Sequence, residues 1–375
     1  MKYPDLSDLV LGSGAGSVAI VGTAKNVGKT VTMNYLSAAL AGRGLVVGLV
    51  SSGRDGEVTD AFTGEPKPSI VPPEGAWIAT AEGVLGESAG FLEIADVSEK
   101  AGVLGRLVIG RMRESEPVEL VGPQSAKELA RVVERLHDFG AQVVLVDGAL
   151  DRVAAASPGV TDAVVLSTGA SAHSDLALVA KSTAFVVELW SLKTPGDPDV
   201  LALARRAIES GRVSFLDEIP LAGSSRHDGS SLAPDNTPRY RVRQTAFDTV
   251  LGCEEKVLSQ AGEAAYVVVP GAVSEKFLAE AEGMEFRDSF AVVAKDPTAL
   301  FVRSEPPLPV YVAHEIRLLA ITVNPVSAGG YSCEPREMVD AVSLEVYRST
   351  GKRIPVLDVV SGESNFGEVY GVAVG

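Results

Sequence analysis

Val18-Ala-Ile-Val-Gly22-Thr-Ala-Lys-Asn-Val-Gly28-Lys29-Thr30 is the stretch that decides how the rest of the chain is read. Residues 18–21 are apolar and predict a short buried strand. A glycine-bearing turn follows. Residues 28–41 then predict a helix with Val31, Leu36, Ala39 and Leu40 on one side, stopped by Gly42 and Gly44. Residues 45–50 predict a second strand. A crossover helix of this kind makes its two flanking strands parallel.

A turn of this composition, between a strand and a helix, suits a polyphosphate. Successive backbone N–H groups converge on the anion, and the helix N-terminus adds its positive end. Gly28 permits close backbone approach, Lys29 can reach the β- and γ-phosphates, and the Thr30 hydroxyl can ligate Mg²⁺. The expected nucleotide contacts are Gly22, Thr23, Ala24, Lys25, Asn26, Val27, Gly28, Lys29, Thr30 and Val31. Five residues separate Gly22 from Gly28, where the common pattern has four. The strand before and the helix after keep the assignment. The expected fold is therefore an α/β P-loop NTPase, a mostly parallel sheet with helices on both faces, followed by a second α/β region.

Further along, Gln142-Val-Val-Leu-Val-Asp147 is an apolar strand ending in a carboxylate. Such a strand delivers Asp147 to the crevice beside the phosphate loop, the Walker B arrangement, where it would bind Mg²⁺. Ser51-Ser-Gly-Arg54-Asp55-Gly-Glu57-Val-Thr-Asp60 follows the second strand as a loop crowded with charge. Asp55 or Glu57 could orient an attacking water or meet the metal, and Arg54 could neutralise phosphate charge. Ser51 and Ser52 read as structural. The catalytic candidates are thus Lys29, Asp55 and Glu57, and the metal candidates Thr30, Asp55 and Asp147. Asp151 and Arg152 read equally as a second switch or a local ion pair. Ser167-Thr-Gly-Ala170 could line the same crevice. Asn324-Pro325 reads either as a ligand site in the second half or as simple turn chemistry.

Bulk properties narrow the class. A length of 375 residues leaves room for two domains. A net charge of −16 with no basic face argues against nucleic acid as a partner. No apolar run is long enough to span a bilayer. The first residues lack the basic and apolar regions of a signal peptide. Cys253 and Cys333 match no metal spacing and suit a reducing compartment, so a cytoplasmic location is expected. The four histidines form no ligand set. Residues 105–112 and 118–121 predict a strand pair, 125–139 and 174–184 helices, and 162–167 a strand. Residues 224–243, rich in Ser, Gly, Pro and charge, predict a linker or long loop. This sets domains at 1–223 and 244–375. In the second, strands are expected at 265–269, 289–293, 318–323 and 356–360, with helices at 274–281 and 335–350.

The phosphate loop resembles that of dethiobiotin synthetase and cobyric acid synthase relatives, which share the five-residue spacing. Lys25 resembles the extra lysine of deviant P-loop ATPases, which reaches a partner's nucleotide across a homodimer. Their lysine usually sits one place earlier, so a contact in cis or a solvated rim position stays open. A resemblance over most of the chain is to the smaller, non-MutS-like reactivase subunit of lysine 5,6-aminomutase. It is carried by residues 22–35, Ser52-Gly-Arg-Asp-Gly-Glu, Lys67-Pro68, Ala79-Thr80, Gly122-Pro123, Asp147-Gly-Ala-Leu-Asp-Arg and Ser167-Thr-Gly-Ala. The resemblance implies an ATPase that helps exchange damaged cobalamin, with a MutS-like ATPase subunit and a cobalamin-dependent aminomutase as partners. It assigns no residue a role beyond nucleotide binding. The competing expectation is an ATP-dependent ligase that activates a carboxylate. No Asn-Lys-x-Asp guanine motif occurs, which favours ATP over GTP.

Overall fold

The computed structural model describes residues 5–55, 69–123, 125–149, 155–219, 239–284, 290–327 and 329–369. The chain divides into two units: Met1–Glu188 with Ile316–Gly375, and Leu189–Glu315. The first stretch forms α1 (Leu6–Ser13), β1 (Ser17–Gly22), α2 (Lys29–Ala41), β2 (Val47–Ser51), β3 (Arg54–Asp55), β4 (Trp77–Ala81), β5 (Leu92–Gly102), β6 (Gly105–Met112), β7 (Leu120–Val121), α3 (Ala126–Asp138), β8 (Val143–Ala149), β9 (Ala163–Gly169) and α4 (Leu176–Trp190). The second unit contributes α5 (Pro198–Glu209), β10 (Ser214–Glu218), β11 (Tyr240–Gln244), α6 (Glu254–Leu258), β12 (Tyr266–Val269), β13 (Val273–Ser274), α7 (Glu275–Glu282), β14 (Ala291–Ala294), β15 (Leu300–Phe301) and β16 (Val310–Val312). The chain returns to the first unit with β17 (Leu318–Asn324), α8 (Pro335–Thr350), β18 (Val356–Leu357) and α9 (Phe366–Val369).

Among the described residues the first unit is built on a nine-stranded sheet in the order β18-β17-β9-β1-β8-β2-β4-β6-β5. From β18 to β4 every pairing is parallel, and β6 and β5 add an antiparallel hairpin at one edge. Every residue of β1 is buried, as its unbroken Val-Ala-Ile-Val run requires of a strand covered on both faces. Alternation sends Val18 and Ile20 to one face, where they share a core with Leu49, Leu145 and Val165 and with Met33, Leu36 and Leu40 of α2. The other face receives α3, whose Leu129, Val132, Val133 and Leu136 are buried. Ser125 caps that helix by accepting the Glu128 N–H.

The expected partition at 224–243 does not hold. Residues 316–369 rejoin the first sheet, because β17 pairs with β9 and finds there an apolar edge for Ala320, Ile321 and Val323. The second unit is thus an insertion between α4 and β17. Residues 224–238 of the expected linker lie outside the described residues, and 240–243 belong to β11. The expected strand pair also separates. Residues 105–112 pair with β4 and β5, whereas β7 pairs with β3 and Val118 bridges Ile70. Helix 174–184 runs on to Trp190, and the last strand keeps only Val356–Leu357. Both cysteines are free thiols. No helix among the described residues is long and apolar enough to cross a membrane.

The second unit has its own sheet, β11-β10-β12-β14-β16, with β12, β14 and β16 parallel and β10 and β11 antiparallel. Its core holds Phe215, Val267, Val269, Phe277, Leu278 and Val292. Asp217 is tied to the neighbouring strand by two hydrogen bonds from Arg243, at 2.8 and 3.0 Å. These bonds hold its carboxyl below the ordinary value. A depressed carboxylate adds stability above its unfolded pKa and loses it as pH falls through the lower folded one. Asp217→Asn should therefore destabilise the chain at neutral pH by about 1 kcal/mol, given the pair's partial exposure. It should also flatten the acid limb in thermal melts between about pH 6 and pH 2. Parallel acid limbs for the two proteins would contradict the pairing.

Candidate functional site

The carboxyl edge of the parallel strands collects most of the residues singled out above. β1 ends at Gly22, residues 23–28 turn, and α2 starts at Lys29. The turn needs its glycines. A Cβ at Gly22 would lie 2.8 Å from Val27 Cγ2 and 2.9 Å from Lys29 Cδ. Gly28 has φ +93°, in the left-handed region that side chains disfavour. Asn26 (φ +60°) is the one non-glycine residue with positive φ among the described residues, and asparagine tolerates that geometry better than most residues.

Gly28 is the N-cap of α2 and has no side chain to cap with, and the first turn holds no acidic residue. By contrast α1, α3, α5 and α7 are each capped by an Asp or Ser side chain. The start of α2 thus keeps a positive end that no side chain of its own offsets. Lys29 lies in this turn with its side chain 13% exposed, and its Nζ stands 3.8 Å from Asp147 Oδ1. Asp147 is 3% exposed. A carboxylate this deep is costly unless a cation offsets it, and Lys29 is that cation. Thr30 and Val31 complete the first turn, both half-buried, and Lys25 is exposed on the loop.

Register places Asp147 relative to the loop. Ile20 of β1 and Ser51 of β2 both stand opposite it. Side chains at paired positions leave the same face, so Asp147, Ser51 and Ile20 all point toward the α2 side. On that face apolar Leu49, Leu145 and Val18 give way to Ser51 and Asp147 nearer the edge. Ser167 and Thr322 continue the polar row on β9 and β17.

Hydroxyls tie this row to the loop. Thr32 Oγ1 donates to Thr322 Oγ1 at 2.9 Å, and Thr322 is 2.8 Å from Ser167 Oγ. Thr23 N–H donates to Ser167 O at 2.9 Å, and Thr23 Oγ1 to Thr168 Oγ1 at 3.1 Å. Thr168 in turn meets Thr183 Oγ1 of α4 at 2.8 Å. Asn324, at the tip of β17, donates from Nδ2 to the Asn26 carbonyl at 3.2 Å. Its own carbonyl accepts the Ala170 N–H, and its Oδ1 accepts the Val326 N–H. A trans peptide points its C=O and its N–H oppositely. Holding the Asn26 oxygen against β17 therefore aims the Val27 N–H away from that strand.

The structure thus brings together Gly22 to Val31 and Asp147 of the expected set. Asp55 is placed only by its backbone, opposite Leu120 in the β3–β7 pair. Glu57, Asp151 and Arg152 lie outside the described residues. The sequence leaves Asn324 open between a ligand site and turn chemistry and reads Ser51 as structural. The available signal was the same for both as for Asp147, a polar residue closing an apolar strand. No group of three or more His, Cys, Asp or Glu side chains among the described residues could hold a metal unaided. A separate cavity of about 360 Å³, lined by Ser343, Tyr347, Arg353 and Asn365 among others, includes no residue of this edge. Gly28→Ala should cost about 1–2 kcal/mol from the left-handed backbone alone. Asn324→Ala should cost about 1 kcal/mol through the lost support of Asn26. Chemical denaturation measures both, and an unchanged midpoint for Gly28→Ala would contradict the loop geometry.

No protein-family model, curated protein or solved structure matches the chain. The geometry of this edge therefore carries the functional argument.

Proposed function

We propose that this chain is a P-loop nucleoside triphosphatase that holds Mg-ATP at the carboxyl edge of its nine-stranded sheet and uses the nucleotide as a switch. The observation that carries the reading is the Lys29–Asp147 pair, 3.8 Å apart and largely buried, beneath a helix start that no side chain caps. A cation, a buried carboxylate and convergent backbone donors at one strand edge match what a triphosphate with a divalent metal requires. The donors fit Mg²⁺ in particular. Asp147, Thr30 and the nearby serines offer only oxygen, and Mg²⁺ is held by one or two carboxylates together with substrate phosphates and water. When bound, the metal would neutralise charge developing on the phosphates.

In this reading residues 23–30 wrap the phosphates with their amides, and Lys29 leaves Asp147 for the β- and γ-oxygens. Asp147 and Thr30 then hold the metal. Asp55 and Glu57 are the candidates for orienting the attacking water.

Connectivity supports a switch over a simple ligase. The insertion is entered from α4 and left through β17. β17 bonds the loop directly through Asn324 and the first turn of α2 through Thr322, and α4 is linked to the loop by the chain Thr183, Thr168, Thr23. A change in the loop is therefore felt first by the two segments that flank the inserted unit. The client comes from the sequence resemblance: an adenosylcobalamin-dependent aminomutase, served together with a MutS-like ATPase. Retention of the five-residue glycine spacing favours the ligase alternative. A switch should hydrolyse ATP slowly alone and faster with its client, whereas a ligase should release phosphate only with its carboxylate substrate.

Lys29→Ala should weaken ATP binding roughly 10- to 100-fold, the worth of a lost charge-assisted contact of about 1.5–3 kcal/mol. Asp147→Asn should weaken binding in Mg²⁺ about tenfold or more and change binding in EDTA far less. Titration calorimetry under both conditions measures this, and equal losses would remove the metal role of Asp147.

A further inference from the structure

Ser51 closes β2 directly opposite Asp147 in the parallel register. The two side chains therefore leave the same face of the sheet, the one that α2 covers. Ser51 is fully buried, and its Oγ has no hydrogen-bond partner among the described residues. Interior hydroxyls elsewhere in the same unit are satisfied. Ser37 donates to Asn34 O, Ser167 meets Thr322, and Thr161 donates to Ala155 O. Among the described residues, unpartnered serine hydroxyls occur at Ser51, Ser52 and Ser171, all just at or past the carboxyl ends of β2 and β9. A buried hydroxyl that bonds no protein group is unfavourable unless a non-protein partner meets it.

The register leaves room for such a partner. Adjacent strands lie about 4.8 Å apart, so two oxygens on one face can share a third atom between them. Ser51 does not bond the Asp147 carboxylate directly. Mg²⁺ keeps several of its waters, and those waters need acceptors. We propose that Ser51 is a positioning residue of the magnesium site: its hydroxyl accepts a hydrogen bond from a water bound to the metal, beside the carboxylate of Asp147. This rests on the magnesium-nucleotide reading of the edge. It assigns to Ser51 the orientation of the metal's hydration shell.

Two properties separate this role from a structural one. Among the described residues the Ser51 hydroxyl bonds no protein group, so Ser51→Ala gives up no protein hydrogen bond and should melt no lower than the wild type. The same variant should bind ATP in EDTA as the wild type does. It should need about tenfold more Mg²⁺ to reach half of the magnesium-dependent gain in affinity, the usual effect of losing an outer-sphere partner. Ser51→Thr, which keeps a hydroxyl, should recover most of that shift. Calorimetric titration of the full chain with ATP, over a Mg²⁺ series and in EDTA, reads all three proteins. A wild-type Mg²⁺ dependence in Ser51→Ala, an equal loss with and without metal, or a lowered melting temperature would each overturn the role. A wild-type chain that binds no ATP under any condition would overturn the nucleotide reading itself, and with it this inference.

Discussion

Parallel pairing of β1 on both sides, with β8 and with β9, is the constraint on which the rest depends. It buries the strand completely and fixes the height at which the chain must turn. The turn can only open at the carboxyl edge, where β8 delivers Asp147 and β9 delivers Ser167. Helix α2 is then anchored through Met33, Leu36 and Leu40 onto the face that carries those side chains. The loop, the helix start and the buried carboxylate meet because one strand is held between two others. Lys29 lies 3.8 Å from Asp147 as a consequence of register, with no sequence proximity between them.

The polar row along this edge has a division of labour. Ser167, Thr322 and Thr32 satisfy one another and tie the start of α2 to β9 and β17. Asn324 braces the left-handed Asn26 from the far side of the chain's insertion. Among the described residues, the Ser51, Ser52 and Ser171 hydroxyls have no partner at the same edge. The first group ties the loop and the start of α2 to the sheet, and the second lies at or just past the ends of β2 and β9. The inserted unit is reached through α4 and β17, the elements to which the braced loop is bonded.

Local features were legible in the sequence. The apolar run at 18–21, the glycines at 22 and 28 and the apolar strand that carries Asp147 each state their structural role within a few residues, although β8 runs on past Asp147 to Ala149. Long-range features were not. Asn324 lies 298 residues from its partner Asn26, and nothing in Asn-Pro distinguishes a brace from a turn. Ser51 gains meaning only when β2 is set beside β8, since register decides which face it occupies. The domain boundary was misplaced for a related reason. A stretch rich in Ser, Gly and Pro marks a flexible composition, but an insertion is defined by where the chain returns. The apolar residues of β17 fit the first sheet as well as they would have fitted a sheet of their own.

Amide hydrogen exchange across residues 22–31, with and without Mg-ATP, reads whether nucleotide seats on this loop. Saturating Mg-ATP should slow exchange at the loop and first-turn amides, with a lesser effect over the rest of the sheet. Unchanged exchange in this segment at saturating nucleotide, or protection confined to another part of the chain, would contradict the proposed nucleotide site.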